Sequence, residues 1–365
     1  MNGGGYQQKN IMIIENIKLF RQKIVSSILI QKPIKIINIR SETNEPGIKE
    51  WEVSFLRLIE KMTNGTIINI SPTGTSLYFK PGILVGGKIS HDCGKDRSVG
   101  YFLEGLLCLA PFGKFPLVLT LNGITNDDRD WSVDLIRLCT LRILSWFGLA
   151  EGVEFHITRR GNAPTGNGEI QFVCPLLRTL SVIDRSTIGE IIRIRGTAYT
   201  ARVSNNFGLR MISSAKTRLI QFTPNVYIQS DHYRAAEAGD SPGYACTLVA
   251  ESMTGDLLAA EICGQPGVTP EDLGEHVANL LLQEVLKSGC VDSSHQSLVL
   301  QLMVLCPEDV CRVRFGKLTS YTIEFLRNLL DFFGVTFKIE PDSTNGTFLL
   351  TCIGIGYTNF SKRMF

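Results

Sequence analysis

WSVDLIRLCTLRILSWFG, residues 131–148, is followed by VEFHI (153–157), the turn TRRGNAPTGNG (158–168) and EIQFV (169–173). Apolar residues in the first string recur three and four apart, and the string ends at Gly148, as an amphipathic helix with a glycine stop does. The two flanks of the turn alternate apolar and polar residues, the period of strands. The same helix-strand-strand pattern occurs twice more. IKEWEVSFLRLIEKMTNG (48–65) precedes TIINI and TSLYF around Ser71–Gly74, and TSYTIEFLRNLLDFFG (319–334) precedes VTFKI and TFLLTCI around Glu340–Gly346. Upstream of each lies another apolar helix and one strand: FRQKIVSSILIQ with IKIINI, SVGYFLEGLLCLA with LVLTL, and SHQSLVLQLMVLC with VCRVRF.

Three copies of a helix-strand-helix-strand-strand unit are therefore expected. Their stop glycines, Gly65, Gly148 and Gly334, lie 83 and then 186 residues apart. Roughly 100 residues are inserted in the third copy, enough for a small domain. The surplus carries strand-like runs (EIIRIRG, NVYIQS, YACTLVAES, LLAAEIC) and helical ones (Leu209 to Phe222, Pro270 to Lys287). A single unit cannot bury both its sheet and its helices, so the copies must stack around a common core. The expected fold is α/β: a three-repeat domain formed by residues 1–183 and 290–365, with an inserted α/β domain at 184–289. The insert is expected to fold as an independent unit, leaving the repeats able to fold without it.

Composition agrees with a globular chain. Of 365 residues, 44% are hydrophobic and 20% charged, and 37 Lys and Arg nearly balance 35 Asp and Glu. A net charge of +2 announces no polyanion-coating protein, so any nucleic-acid surface must be local. The ten cysteines never form a Cys-x-x-Cys pair, and the five histidines never adopt a metal-binding spacing. No metal and no cofactor are expected, and a reducing intracellular compartment is. The N-terminus lacks a secretory pattern, and the apolar stretch Tyr101–Leu121 is broken by Glu104, Pro111, Gly113, Lys114 and Pro116, so no membrane anchor is expected.

Three places could bind an anion. The turn 159–169 holds Arg159, Arg160, Gly161, Gly166 and Gly168; glycines let backbone N–H groups turn toward an anion and guanidiniums suit phosphate oxygens. A long hairpin that merely needs left-handed backbone explains the same residues equally well. Arg21 on the first helix and Arg40 at the end of the first strand form a second candidate. The third is the run Arg185, Arg193, Arg195, Arg202, Arg210, Lys216 and Arg218, opposed only by Glu190. It would track a phosphate backbone or an acidic protein. His91-Asp92 and Asp231-His232 read as ordinary loop residues, and His295 as a residue facing the repeat junction.

SFLRLIEKMTNGTIINISPTGTSLYFKPGILVGG (54–87), HDCGKDRSVGYFLEGLLCLAPFGKFPL (91–117), GITNDDRDWSVD (123–134), ITRRGNAPTGNGEIQFVCP (157–175), DHYRAAEAGDSPGYACTLVAES (231–252) and YTIEFLRNLLDFFGVTFKIE (321–340) closely resemble the eukaryotic cyclase-like branch of the RNA 3′-terminal phosphate cyclase family. The resemblance runs from about Glu15 to the C-terminus and implies three repeats with one inserted domain. It also implies that the catalytic members adenylylate a histidine, a position occupied here by Gly316 in Gly316-Lys317-Leu318-Thr319-Ser320. Glycine offers no imidazole for a phosphoramidate. Further departures are Asn16-Ile17-Lys18-Leu19 in place of a glycine-rich turn, Trp51-Glu52 in place of Gln-His, Glu104 in place of Gln, Gln296-Ser297 in place of Asp-Gln, and Asn167 within a run of glycines.

The resemblance leaves Arg21, Arg40, Arg159, Arg160, Gly166 and Gly168 as an anion or RNA site without a catalytic residue, with Arg21, Arg40 and Arg160 converging on one anion. It implies a non-catalytic factor of small-subunit ribosome assembly in the nucleus and nucleolus. Pre-rRNA, a box C/D snoRNP and a ribosome-assembly GTPase are the implied partners, with the chain a monomer inside a larger complex. A pre-rRNA endonuclease is the alternative, equipped thinly by Arg327, Asn328, Leu330 and Asp331. An active cyclase is disfavoured by Gly316.

Overall fold

The structure is a computed structural model that describes residues 11–359 except Asn16 and Ala235. Each repeat contains the five expected elements preceded by one further strand. Repeat one runs Met12–Glu15, helix Phe20–Ile30, strand Ile34–Ile37, helix Glu50–Met62, strands Ile67–Ile70 and Leu77–Lys80. Repeat two runs Gly86–Asp92, helix Val99–Leu107, strand Phe115–Gly123, a helix from Val133 to Trp146 with a π-helical turn at Ile136–Thr140, then strands Glu154–Arg159 and Gly168–Cys174. Repeat three runs Asp184–Arg185, helix Gln296–Leu305, strand Val310–Phe315, helix Ser320–Phe333, strands Lys338–Asp342 and Thr347–Ile353.

In all three sheets the leading strand pairs in parallel with the second, which pairs antiparallel with the last, and the third strand closes the edge. The parallel pair is the one joined by a helical crossover, as its chain direction requires. Local chemistry sets the helix ends. The Ser132 and Thr319 hydroxyls accept from the N–H groups of Leu135 (3.0 Å) and Thr322 (3.1 Å), and Gly334 closes its helix at φ 71°. The repeat helices pack on one another around a continuous core that includes Ile24, Phe55, Phe102, Phe172, Leu300 and Phe325. All ten cysteines are free thiols, and all but Cys263 are buried. Among the described residues no helix is long and apolar enough to cross a membrane.

The insert lies between the leading strand and the first helix of repeat three. Asp184–Arg185, read from sequence as the start of the insert, instead pairs in parallel with Val310–Phe315. Beyond it, strands Ile191–Ala201, Val226–Tyr233, Gly243–Ser252 and Leu257–Cys263 form one sheet, with Val226–Tyr233 and Leu257–Cys263 at its edges. Helices Asn205–Leu219 and Pro270–Leu286 cover one face around a separate core of Ile194, Met211, Leu248, Val277 and Leu281. The other face lies on the repeat-two helix, and Val249, Leu257 and Ala259 join the main core. The insert thus has a core of its own but also covers apolar surface of the repeats. Excising it would expose that surface to water.

Candidate functional site

Gly316 follows strand Val310–Phe315 and is buried against the chain leaving the insert. A Cβ built there would lie 2.7 Å from both the carbonyl oxygen and the Cβ of Lys287, too close for any side chain without moving backbone. The position therefore lacks space as well as an imidazole. Gln296, one of the departures from the family pattern, ties down the neighbouring segment. Its Oε1 accepts from Thr319 N–H (3.2 Å) and Thr322 Oγ1 (2.6 Å), and its Nε2 donates to the Lys317 carbonyl (3.1 Å).

The expected anion site is already neutralised from within. Arg21 pairs with Glu104 (2.6 Å), and its guanidinium lies 4.1 Å from the centre of the Tyr101 ring. Burial alone would lower the Arg21 pKa, but Glu104, together with Tyr101, Tyr321 and Asp130, outweighs it and holds the charge firmly. Arg40 makes a two-pronged contact with Glu52 (2.9 and 2.6 Å) and donates to the Gly47 carbonyl (3.0 Å). Arg97 grips Asp130 in the same way and lies 4.4 Å from the Tyr101 ring centre. Glu104 and Glu52 both stand where the family pattern has other residues. A carboxylate at each position does for the arginine what a bound phosphate would do. Asn16, another departure, lies outside the described residues.

Arg160 does not join Arg21 and Arg40. It is fully buried, paired with Asp134 through both terminal nitrogens (2.6 and 2.7 Å), and packed on the rings of Tyr199 and Tyr233 from the insert. The single three-arginine anion site is thus absent, because Arg160 points into the seam with the insert. The glycine-rich turn serves the same seam. Arg160 N–H donates to the Glu237 carbonyl (3.0 Å), Gly239 N–H donates to the Arg160 carbonyl (2.6 Å), Thr165 meets Ser241 (2.6 Å), and Asn167, at φ 59°, donates to Asp240 (2.7 Å). Gly166 and Gly168 press on the Gly123 backbone, where a Cβ at Gly168 would stand 2.7 Å from the Gly123 carbonyl oxygen. These glycines allow a close backbone approach, and the N–H groups spent on the insert are not available to cradle an anion. Arg159 alone of the six expected residues keeps a guanidinium with no carboxylate partner among the described residues; its Nε donates to the Asn167 carbonyl (2.5 Å).

The basic run of the insert is likewise partly spent. Arg185, Arg193 and Arg210 pair with Asp256, Glu251 and Glu271 (3.0, 2.6 and 2.5 Å), whereas among the described residues Arg195 bonds only neutral groups, on Ile194 and Asn225, and Arg218 only Asn279. His91 and His232 lie on strands rather than loops. His295 does face the repeat junction, between Asp292 (2.8 Å) and Thr140 (2.8 Å), with Cys139 beside it. Burial opposes its charge, but Asp292 and the neighbouring thiol raise its pKa well above the usual imidazole value. Cys139, Asp292 and His295 are the one group of three metal-ligating side chains among the described residues, all buried, and the imidazole nitrogens are occupied by hydrogen bonds. Arg327, Asn328 and Asp331 line a separate groove of about 610 Å³ at the junction of repeats one and three, beside Lys23, whose pKa burial lowers to about 8.

A cavity of about 970 Å³ opens between repeats two and three and the insert, with Arg21 of repeat one also on its lining. Its walls carry Glu104, Asp127, Asp128, Asp130, Glu261 and Glu284. Asp128 and Glu261 also dock the insert: Asp128 accepts from Cys263 N–H (2.9 Å), and Glu261 accepts from Ser132 N–H (3.0 Å) and its hydroxyl. Burial, aided by the nearby Asp134, pushes the Glu261 carboxyl up to about 7. The folded protein then holds a proton that the unfolded chain has released, so stability falls as pH rises from about 4.5 to about 7. Chemical denaturation across that range should show a shallower decline in Glu261→Gln than in the wild type; parallel curves would contradict the assignment. The acidic string 127–134 was visible in the sequence, but only the fold turns it into a cleft wall and an arginine partner.

Comparison with known proteins agrees with this architecture. Residues 14–339 match the family model described as RNA 3′-terminal phosphate cyclase. The chain is 51% identical to a cyclase-like protein of Dictyostelium discoideum, over 95% of this chain and 98% of that protein. It is 46% identical to the RNA 3′-terminal phosphate cyclase-like protein of Homo sapiens, over 94% and 95% of the two chains. It is also 41% identical to an rRNA processing protein of Schizosaccharomyces pombe, again over 94% and 95%. With its three repeats, its insert and a match over most of its length, the chain belongs to the RNA 3′-terminal phosphate cyclase family.

Proposed function

We propose that this protein is a non-catalytic factor of small-subunit ribosome assembly that acts in pre-rRNA processing in the nucleolus. Gly316 carries the proposal: the nucleophile position has no imidazole, and a Cβ there would stand only 2.7 Å from the backbone carbonyl oxygen of Lys287, too close to fit. The internal pairing of Arg21 with Glu104 and Arg40 with Glu52 supports the same reading, because it leaves no charge for a nucleotide phosphate. The rRNA processing role follows the name of the Schizosaccharomyces pombe relative. A ribosome-assembly GTPase and a box C/D snoRNP are the partners that the sequence resemblance implies. RNA contact falls to cations without carboxylate partners among the described residues, such as Arg159, Arg195 and Arg218.

Depletion of the protein in its own cells, followed by northern analysis of small-subunit rRNA precursors, tests the role. Uncleaved precursors should accumulate and be cleared by the wild-type gene. Normal precursor levels after complete depletion would refute it.

A further inference from the structure

Where the repeat-two helix meets the open edge of the insert sheet, guanidiniums outnumber carboxylates. Glu251 serves two arginines at once, Arg142 of the helix (2.7 Å) and Arg193 of the sheet (2.6 Å). Asp134 likewise serves Arg137 (3.1 Å) and Arg160 (2.6 Å), with Asp231 lying 3.8 and 3.7 Å from the same two guanidiniums. Arg195 bonds only neutral groups, on Ile194 and Asn225, among the described residues. Five arginines therefore share three carboxylates, and two positive charges are left over. The excess also lies outermost: the Arg142 and Arg193 side chains are 42% and 41% exposed, and Glu251 beneath them 11%. A guanidinium carries more N–H donors than a shared carboxylate can engage, so outward-facing donors remain for a further anion.

An exposed aromatic ring stands in this rim. Tyr227, on the edge strand Val226–Tyr233, is 60% exposed and pairs across the sheet with Arg195, so both side chains leave the same face. Exposed Gln229 follows on that face, and then Asp231, beside which Arg137 lies. Tyr227 and Asp231 are four strand residues apart, about 13 Å. Arginines at the two ends therefore cannot share one small anion, whereas a polyanion would reach both. Duplex RNA offers phosphates but keeps its bases stacked away from the ring. An acidic polypeptide offers carboxylates but no flat partner for it. A single RNA strand supplies both a line of phosphates and an unstacked base. Building on the rRNA processing role, we propose that this rim binds single-stranded RNA, with phosphates on Arg137, Arg142, Arg193 and Arg195 and one base stacked on Tyr227.

Fluorescence anisotropy of a fluorescein-labelled oligouridylate, titrated with the full chain at several salt concentrations, tests this. The wild type should bind it saturably, and more tightly than an RNA duplex of the same length. Arg142→Gln with Arg195→Gln leaves Glu251 its Arg193 partner. This double variant should flatten the plot of log Kd against log salt by about 1.4, since each phosphate contact on a single strand contributes ~0.7. Tyr227→Ala should weaken binding about fivefold or more, the loss of one base stack, and leave that slope unchanged. Lys35→Gln with Lys80→Gln, an equal charge change at exposed positions of the repeat-one sheet, should behave as the wild type. Should the Tyr227 variant fail to fold, photocrosslinking of a 4-thiouridine oligonucleotide to the wild type, mapped by mass spectrometry, should mark Tyr227. Four results overturn the site: no saturable binding, equal losses in the control pair and the rim variants, crosslinks only elsewhere, or tighter binding of a glutamate–alanine peptide than of RNA. Each would leave the rRNA processing role standing, whereas normal precursor levels after depletion would overturn that role and leave the site, so the two failures are distinguishable.

Discussion

Asp134→Ala should lower the free energy of unfolding by about 3–5 kcal/mol, the cost of leaving a buried guanidinium without its carboxylate. Arg160 is fully buried, and Asp134 meets both of its terminal nitrogens (2.6 and 2.7 Å). Burial would raise the Asp134 carboxyl, but Arg160 outweighs it and keeps the group below the usual carboxylate range. The remaining anion, Asp231, stands 3.7 Å away and is partly exposed, so it cannot replace the lost contact in full. Because Arg160 stacks on Tyr199 and Tyr233, the loss should loosen the seam between the repeats and the insert. Urea unfolding followed by circular dichroism measures the change. Replacing both partners, Asp134→Leu with Arg160→Met, should recover most of the loss, since an apolar pair leaves no uncompensated charge. A loss below about 1 kcal/mol in the single variant, the scale of an exposed ion pair, would show that the pair holds little together.

Gly316→His should destabilise the protein by at least about 1–3 kcal/mol, the ordinary cost of overpacking, and should not create an adenylylated enzyme. The added Cβ meets the Lys287 carbonyl, which is backbone and cannot rotate away as a side chain would. Gly289 compounds the problem, since its own Cβ position lies 2.4 Å from the Gly316 nitrogen. Thermal denaturation and an adenylylation assay on the purified variant measure the two effects. A variant as stable as the wild type that also accepts AMP would show that the nucleophile was the only part missing.

The repeat was legible because the signal lies within each unit. The second helix of each copy shows three-four periodicity and leads to a glycine with positive φ: Gly65 at 81°, Gly148 at 92° and Gly334 at 71°. The leading strands were missed for physical reasons. Asp184–Arg185 is two residues long, Met12–Glu15 four, and Gly86–Asp92 begins with two glycines and mixes polar residues into its pattern. Each exists because a partner strand pairs with it, information that no short window contains. The ion pairs were hidden similarly. Arg160 could be read as an anion ligand from its neighbours Arg159 and Gly161, but Asp134 lies 26 residues away and is brought to it by the fold. Gly316 was legible as a missing nucleophile, whereas the closure of its space by Lys287 required the insert to be in place.

Whether this chain keeps the family fold without its chemistry is decided by incubating the purified wild-type protein with labelled ATP and magnesium and resolving it by denaturing electrophoresis. No labelled protein is expected, because Gly316 has no nucleophile and Arg21 and Arg40 are held by Glu104 and Glu52. A labelled band that is stable in base and labile in acid, the mark of a phosphoramidate, would contradict it.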